Sequence, residues 1–300
     1  MQGIRSDYMV RATALDGLVR AFAIDSTATV GELRRRHDTD PAVTAALGRL
    51  ATGTLLFGAM LKDEDQLVTV RVQGNGPAGT LLASANGNGE VRGLVSNPRP
   101  DIKQVNELGK LNVAGAVGTE GRLTVTRDLG MRQPHTSTVE IVSGEVGEDL
   151  AHFLATSEQI PSAVGIGVFV QTTGEVEAAG GYIVQLMPGV SESQAAAIES
   201  VIRELPHPTK MLRDGDTPEQ MLSRIFNNDL QILENKPVRF HCPCSRERAE
   251  RALLLLGREE LTGLIEADSA KGYSEVVCQF CTTAYTLTIP ELEALLSSLN

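Results

Sequence analysis

Phe240-His241-Cys242-Pro243-Cys244-Ser245 and Cys278-Gln279-Phe280-Cys281 hold the only four cysteines of this 300-residue chain. Cys-x-x-Cys closes readily around a tetrahedral ion, whose sulfur ligands converge at about 2.3 Å from zinc. Cys-x-Cys does so less often, but residues i and i+2 of an extended segment share one face. Their Cα atoms then lie about 6.6 Å apart, and a slight bend brings both sulfurs to one point. That separation also falls near the upper edge of the disulfide window, about 4.4–6.8 Å. One arrangement can therefore serve metal when reduced and disulfide when oxidised. Confinement to two tight pairs argues against four scattered core cysteines, and a permanent disulfide set belongs to small secreted domains. The spacing favours a tetrathiolate zinc site on Cys242, Cys244, Cys278 and Cys281. Spacing alone leans toward structural zinc and leaves a redox sensor open.

Around these residues, 236–300 reads as a small zinc-binding α+β unit. Ser245 can cap a helix running to Leu256, with Gly257 ending it. Arg258–Ala267 is a second helix, Val276–Phe280 and Ala284–Ile289 are strands, and Pro290–Leu299 closes with a helix. So short a unit needs a staple to stand alone. His241 could serve as a ligand or as a donor to a thiolate, although four sulfurs already fill a tetrahedron. Arg246 and Arg248 either offset the charge of a zinc tetrathiolate or form an ordinary solvated helix face.

Upstream, 188–235 reads as a helical linker. Ser191–Leu205 is a polar-faced helix, Pro206-His207-Pro208 breaks it, and Thr217-Pro218-Glu219 opens another with Leu222, Ile225 and Phe226 inward. The span has too few apolar residues for its own core and must lean on something else, where local unfolding is cheap. Residues 1–187 predict an α+β domain. Met9–Leu15 and Leu18–Ile24 form a hairpin around Asp16-Gly17. A helix follows with Thr27 or Thr29 as its cap, and a long core helix spans Pro41 to Leu61. Strands follow at Leu67–Val72, Gly79–Ala85, Glu90–Val95, Leu123–Arg127, Thr138–Ser143, Val164–Gln171 and Ala178–Met187, with a helix at Gly147–Ser157. Strands meeting through short turns favour antiparallel sheets. Gly74-Asn75-Gly76-Pro77-Ala78-Gly79 matches a dinucleotide fingerprint, but a strand follows it where a helix is required, so it reads as a turn.

A net charge of −11 and the absence of Trp argue against nucleic acid as partner. Residues 236–300 carry seven Lys/Arg against nine Asp/Glu, the wrong balance for a basic zinc ribbon. Met1–Asp7 shows no apolar leader and no apolar run approaches membrane length, so a cytoplasmic protein without a membrane partner is expected. There thiols stay reduced. His37, His135, His152 and His207 have no sequence-local metal partner. No nucleophile elbow, phosphate loop or zinc-protease motif occurs, so no enzyme is expected.

In its cysteine pairs and in stretches upstream of them, the chain resembles the redox-regulated heat-shock chaperones known as the thirty-three-kilodalton chaperonin family. The zinc unit carries the likeness in Phe240–Arg248 and in Cys278-Gln279-Phe280-Cys281 with Tyr285. Leu123–Gly130, Gly144–Leu150, Ser157–Ser162, Gly180-Gly181-Tyr182 and Met187-Pro188-Gly189 extend it over nearly the whole chain. His135 after Pro134, and Pro243 between the first cysteines, depart from the family's habit. The resemblance implies an ATP-independent holdase for unfolding clients, inactive while reduced with one zinc per chain. It implies that oxidation pairs Cys242 with Cys244 and Cys278 with Cys281, expels zinc and unfolds the linker, and that the active form is a homodimer. The competing expectation is a purely structural zinc ribbon serving as a nucleic-acid or protein interaction module.

Overall fold

The Asp16-Gly17 signal closes a hairpin in the computed structural model, which describes residues 6–299. Met1–Arg5, read above as free of an apolar leader, lie outside the described residues. The hairpin joins β1 (Tyr8–Ala14) to β2 (Val19–Asp25). Its loop has four residues rather than two, because Leu15 and Asp16 both turn to positive φ ahead of Gly17. Helix α1 (Thr27–His37) follows, capped neither by Thr27 nor by Thr29. The carboxylate of Asp7 instead accepts the amides of Ala28 at 3.0 Å and Thr29 at 2.6 Å.

Helix α2 (Pro41–Gly58) is the predicted core helix, buried along nearly its whole length. Its alanines and glycines let two sheets close in on it, with Leu50, Leu55, Leu56 and Phe57 filling the space between. Next come β3 (Leu67–Gly74), β4 (Thr80–Asn86) and β5 (Glu90–Val95). The glycine-rich stretch at 74–79 is the β3–β4 turn, as its following strand required. The Asn86–Gly89 reversal is tied by Asn86 Oδ1, which accepts the amides of Asn88 and Glu90. Then follow α3 (Val113–Val117), β6 (Gly121–Asp128), β7 (His135–Glu140), α4 (Gly147–Thr156), β8 (Ser162–Val170) and β9 (Val176–Leu186). Asp149, fully buried, gathers the amides of Val142, Ser143 and Val146 ahead of α4. Arg127 meets Glu158 at 2.6 Å. Three of the stretches that carried the family likeness, Leu123–Gly130, Gly144–Leu150 and Ser157–Ser162, thus contain residues with structural tasks.

The last elements of this unit are α5 (Glu192–Glu204), α6 (Pro208–Asp214), α7 (Pro218–Phe226), β10 (Gln231–Pro237) and β11 (Arg239–Phe240). One sheet runs β10-β1-β2-β9-β8, the other β11-β5-β4-β3-β6-β7. Pairing is antiparallel throughout except β11 with β5. Strands β1, β2 and β9 of the five-stranded sheet are buried on both faces. Met9, Phe22, Ile24, Ala179 and Ile183 point into the core with α1 and α2. Val10, Ala12, Ala14, Val19, Ala21, Ala23, Ala178 and Val184 point the other way, under Ile198, Met211, Leu212, Met221, Leu222, Ile225 and Phe226 from α5, α6 and α7. The linker helices thus lean on this sheet. Gly180 permits the close approach: a Cβ there would lie 2.7 Å from Leu212 Cδ1.

The chain divides between His241 and Cys242 rather than at 236, because β10 and β11 add strands to the two sheets. The unit 242–300 holds α8 (Arg246–Leu256), α9 (Arg258–Asp268), β12 (Tyr273–Val277), β13 (Ala284–Thr288) and α10 (Ile289–Ser298). Its apolar core is thin, a cluster of Leu253, Leu261, Leu287 and Leu292 with partly buried residues packed around it. Among those residues no helix is long and apolar enough to cross a membrane.

Candidate metal centre

Two local structures present the sulfurs. Cys242 and Cys244 lie on the extended run that enters α8, where Ser245 Oγ accepts the Arg248 amide as the helix cap. Cys278 and Cys281 lie in the loop of the β12–β13 hairpin rather than in a strand, since β12 stops at Val277. That loop turns back on itself. The Cys278 amide donates to Thr283 O at 3.0 Å, the Thr282 amide donates to Cys278 O at 2.8 Å, and Thr282 takes a positive φ.

All four Sγ atoms lie within 4.8 Å of one another, and no other cluster of three or more His, Cys, Asp or Glu ligand atoms occurs among the described residues. Cys242 Sγ is 3.7 Å from Cys278 Sγ, and Cys244 Sγ is 3.2 Å from Cys281 Sγ. None of the four is in a disulfide. Sulfurs ligating one zinc at about 2.3 Å sit about 3.8 Å apart on the tetrahedron's edges. The donor set and its spacing therefore fit a thiolate-bound ion, with all four predicted residues brought together.

The surroundings set the sulfurs' acidity. Burial pushes the Cys281 thiol up, but Thr283, Cys244 and Cys278 outweigh it and bring the group down to about 7. The Thr283 hydroxyl lies 3.3 Å away. Burial raises Cys244, with Cys281 adding to the rise and Tyr285 opposing it. Tyr285 Oη donates to Cys244 Sγ at 3.1 Å, and that bond foremost pushes the phenol up to about 12. Cys281 is thus primed as a thiolate at neutral pH, the form that binds metal and meets oxidants. Thr283 was not singled out from the sequence; its place two residues past the second Cys, in a loop that must close, was the available signal.

His241 is exposed, lies outside the cluster and uses its backbone amide on Val91 O. Arg246 does not serve the sulfurs as its main task. Its guanidinium bonds Glu250, Thr286 O and Glu291, clamping α8, β13 and α10 together.

Two short loops thus hold four thiols at one point, a cluster compatible with a metal site, in a chain whose other unit is a two-sheet α+β domain. The family model described as Hsp33 protein matches residues 7–288, and the chain belongs to that family. A 33 kDa chaperonin of Bacillus subtilis is 49% identical over 289 residues, covering 96% of this chain and 98% of that protein. One from Enterococcus faecalis is 48% identical, covering 95% of each. The crystal structure of the 33 kDa chaperonin from Thermotoga maritima superposes with a TM-score of 0.91 at 37% identity, covering 98% of this chain and 99% of that one.

Proposed function

We propose that this chain is a redox-switched, ATP-independent holdase of the cytoplasm, held inactive by one zinc ion on Cys242, Cys244, Cys278 and Cys281. Bound zinc would cross-link the two loops and keep the sulfurs ionised. The observation that carries the reading is the gathering of four sulfurs in a unit, 242–300, whose own apolar cluster has only four buried members, Leu253, Leu261, Leu287 and Leu292. Structural zinc contributes about 10–16 kcal/mol to small metal domains, comparable with the whole stability of a domain at about 5–15 kcal/mol.

Peroxide transfers oxygen to one thiolate, giving a sulfenic acid and hydroxide. The adjacent thiolate then displaces a second hydroxide as the S–S bond forms, so each disulfide consumes one two-electron oxidant. Pairing Cys242 with Cys244 and Cys278 with Cys281 leaves the loops free of each other. The closer cross-loop sulfurs, Cys244 with Cys281, would instead tie the unit shut. Pairing within each loop is therefore the arrangement that opens it.

Opening then reaches 188–235. Helices α6 and α7 have seven and nine residues, below the roughly 12–15 at which isolated helices become marginal. Lifted from the sheet, they melt. The face they leave is an array of Val and Ala with Tyr182 on β1, β2 and β9, which suits the apolar side chains of unfolding clients. The active form is a homodimer.

The test is direct. The reduced protein should carry about one zinc equivalent, release it to peroxide with two adjacent disulfides by peptide mapping, and then suppress light scattering from a heat-unfolding client. If the oxidised, zinc-free protein suppresses nothing, the holdase reading is wrong and a structural zinc unit remains.

A further inference from the structure

The chain has seven methionines, and they are placed unevenly about the linker layer. Met211 on α6 and Met221 on α7 are 1% and 0% exposed, packed over the Val and Ala face of the five-stranded sheet. Met9 is almost as buried, but on the opposite face and within β1, which is paired on both sides. Met131 is 64% exposed. A thioether is oxidised by the same reagents that attack a thiolate, and the product is a polar sulfoxide. Whether it reacts depends on access. Access to Met211 and Met221 depends on whether α6 and α7 are seated.

We propose that Met211 and Met221 are oxidation sites unmasked when the linker opens, and that their sulfoxides keep it open after the cysteines have been reduced. The proposal rests on the reading above that thiol oxidation unseats the linker. The oxidant is hypochlorous acid. Its oxygen is transferred to the thioether sulfur, an S–O bond forms as O–Cl breaks, and chloride and a proton leave. Sulfur loses two electrons and chlorine gains them.

The lock follows from the destination of the modified side chains. To reseat, the sulfoxide on α6 must return over β8 and β9 and that on α7 over β1, β2 and β9. They enter a cluster of Val10, Ala12, Ala21, Ala23, Ala178 and Val184 in which Tyr182 alone among the buried members carries a hydroxyl, against two new oxygens. The backbone amides of those strands are already spent on the ladders of the sheet. A buried polar oxygen without a donor opposes docking. Thiol reductants do not remove it, so resetting requires a methionine sulfoxide reductase. The cysteines would report the present redox state, and the thioethers would retain that a chlorinating oxidant had been met.

The experiment compares the full-length wild type with a Met211→Leu/Met221→Leu variant, a swap that keeps volume and removes the oxidisable sulfur. Each is opened with hypochlorous acid or, separately, with diamide, which oxidises thiols without transferring oxygen to thioethers. Each is then returned to dithiothreitol and zinc. After hypochlorous acid, the wild type should keep most of its anti-aggregation activity, while the variant returns to the reduced level. After diamide, both should return. Peptide mass spectrometry should find one added oxygen on Met211 and Met221, and on Met131 as the exposed control, with Met9 spared.

Full activity with Met211 and Met221 unmodified, or modified but with wild type and variant resetting alike, overturns the proposal and leaves the holdase reading standing. Oxidation of Met9 to the same extent would mean that the sheet itself had opened, and the linker-specific lock fails. If disulfides form and zinc leaves while α6 and α7 stay protected and no activity develops, the holdase reading falls and this proposal falls with it.

Discussion

Residues 6–241 are held by two clusters, one that runs from Met9 through α2 to Val238 and draws on both sheets, the other between the five-stranded sheet and helices α5, α6 and α7. Residues 242–300 enclose four leucines and gather four sulfurs. In the first unit the stabilising contacts are spread over many side chains, so no single chemical event removes them. In the second, four thiols converge on one point beside a small apolar cluster. The linker helices fall between these extremes. They belong to the larger unit, yet their apolar side rests on a sheet face that has its own ladder and does not need them to stay flat.

The largest effect tests that convergence. Cys278→Ser should lose the bound metal and unfold 242–300, an effect on the scale of structural zinc at about 10–16 kcal/mol. Amide exchange of β1–β9 should hardly change. Unchanged metal stoichiometry would contradict the four-sulfur site. Next, Phe153→Ala removes a fully buried ring 6.0 Å from Phe57 and should cost about 3–5 kcal/mol in denaturant unfolding of the larger unit. Zinc content should stay at one equivalent, and a fall would mean that the two cores are not separate.

Gly167→Ala sharpens the position of the linker. A Cβ on Gly167 would collide with the His207 ring and crowd Thr209 at the start of α6. Overpacking of this kind costs about 1–3 kcal/mol, enough to loosen α6 while the thiols stay reduced. The variant should keep its zinc and show raised basal holdase activity by light scattering. Activity as low as wild type would separate α6 from the switch.

The smallest effect is one of pH. His207 heads α6, with Nδ1 2.9 Å from the Thr209 hydroxyl. Burial foremost, then Arg49 and Lys110, holds its imidazole below the usual value of 6.5. Unfolded linker therefore binds the proton more readily than docked linker. Docking is fully stable above about pH 6.5 and weakens as pH falls from there through the docked-state value. Proteolysis of 204–216 should rise over that range in wild type and level off in His207→Gln. A flat wild-type profile would remove His207 from the account.

How far all this was legible in the sequence depended on where the signal resided. The long helix at Pro41, the hairpin ahead of it and the four sulfurs each carry their own pattern, and the structure has them. Helix α6 was hidden because Pro206-His207-Pro208 reads as a breaker, although Pro208 occupies the first helical position, where proline is welcome. Strand β10 was hidden because an exposed edge strand lacks the alternation that marks a buried one. Arg246 looked like a counter-charge for the sulfurs, and only the fold shows the carbonyl and carboxylates that claim it. What the linker leans on was likewise out of reach, since long-range packing leaves no local spacing to read.

The run 231–240 is where force would pass. Its first part is zipped to β1, and its last two residues lie beside β5. Lys236 Nζ grips Gly87 O at 2.7 Å, Arg239 grips Glu90 at 2.6 Å, and the Arg36 guanidinium lies 4.6 Å from the Phe240 ring. Cys242 follows two residues later. A tug on that cysteine, from a tethered client or a moving neighbour, would load the short β11 pairing first and peel β10 afterward from its Pro237 end. The handle is thus fastened to both sheets at once, and a mechanical pull should loosen their edges before it disturbs either interior.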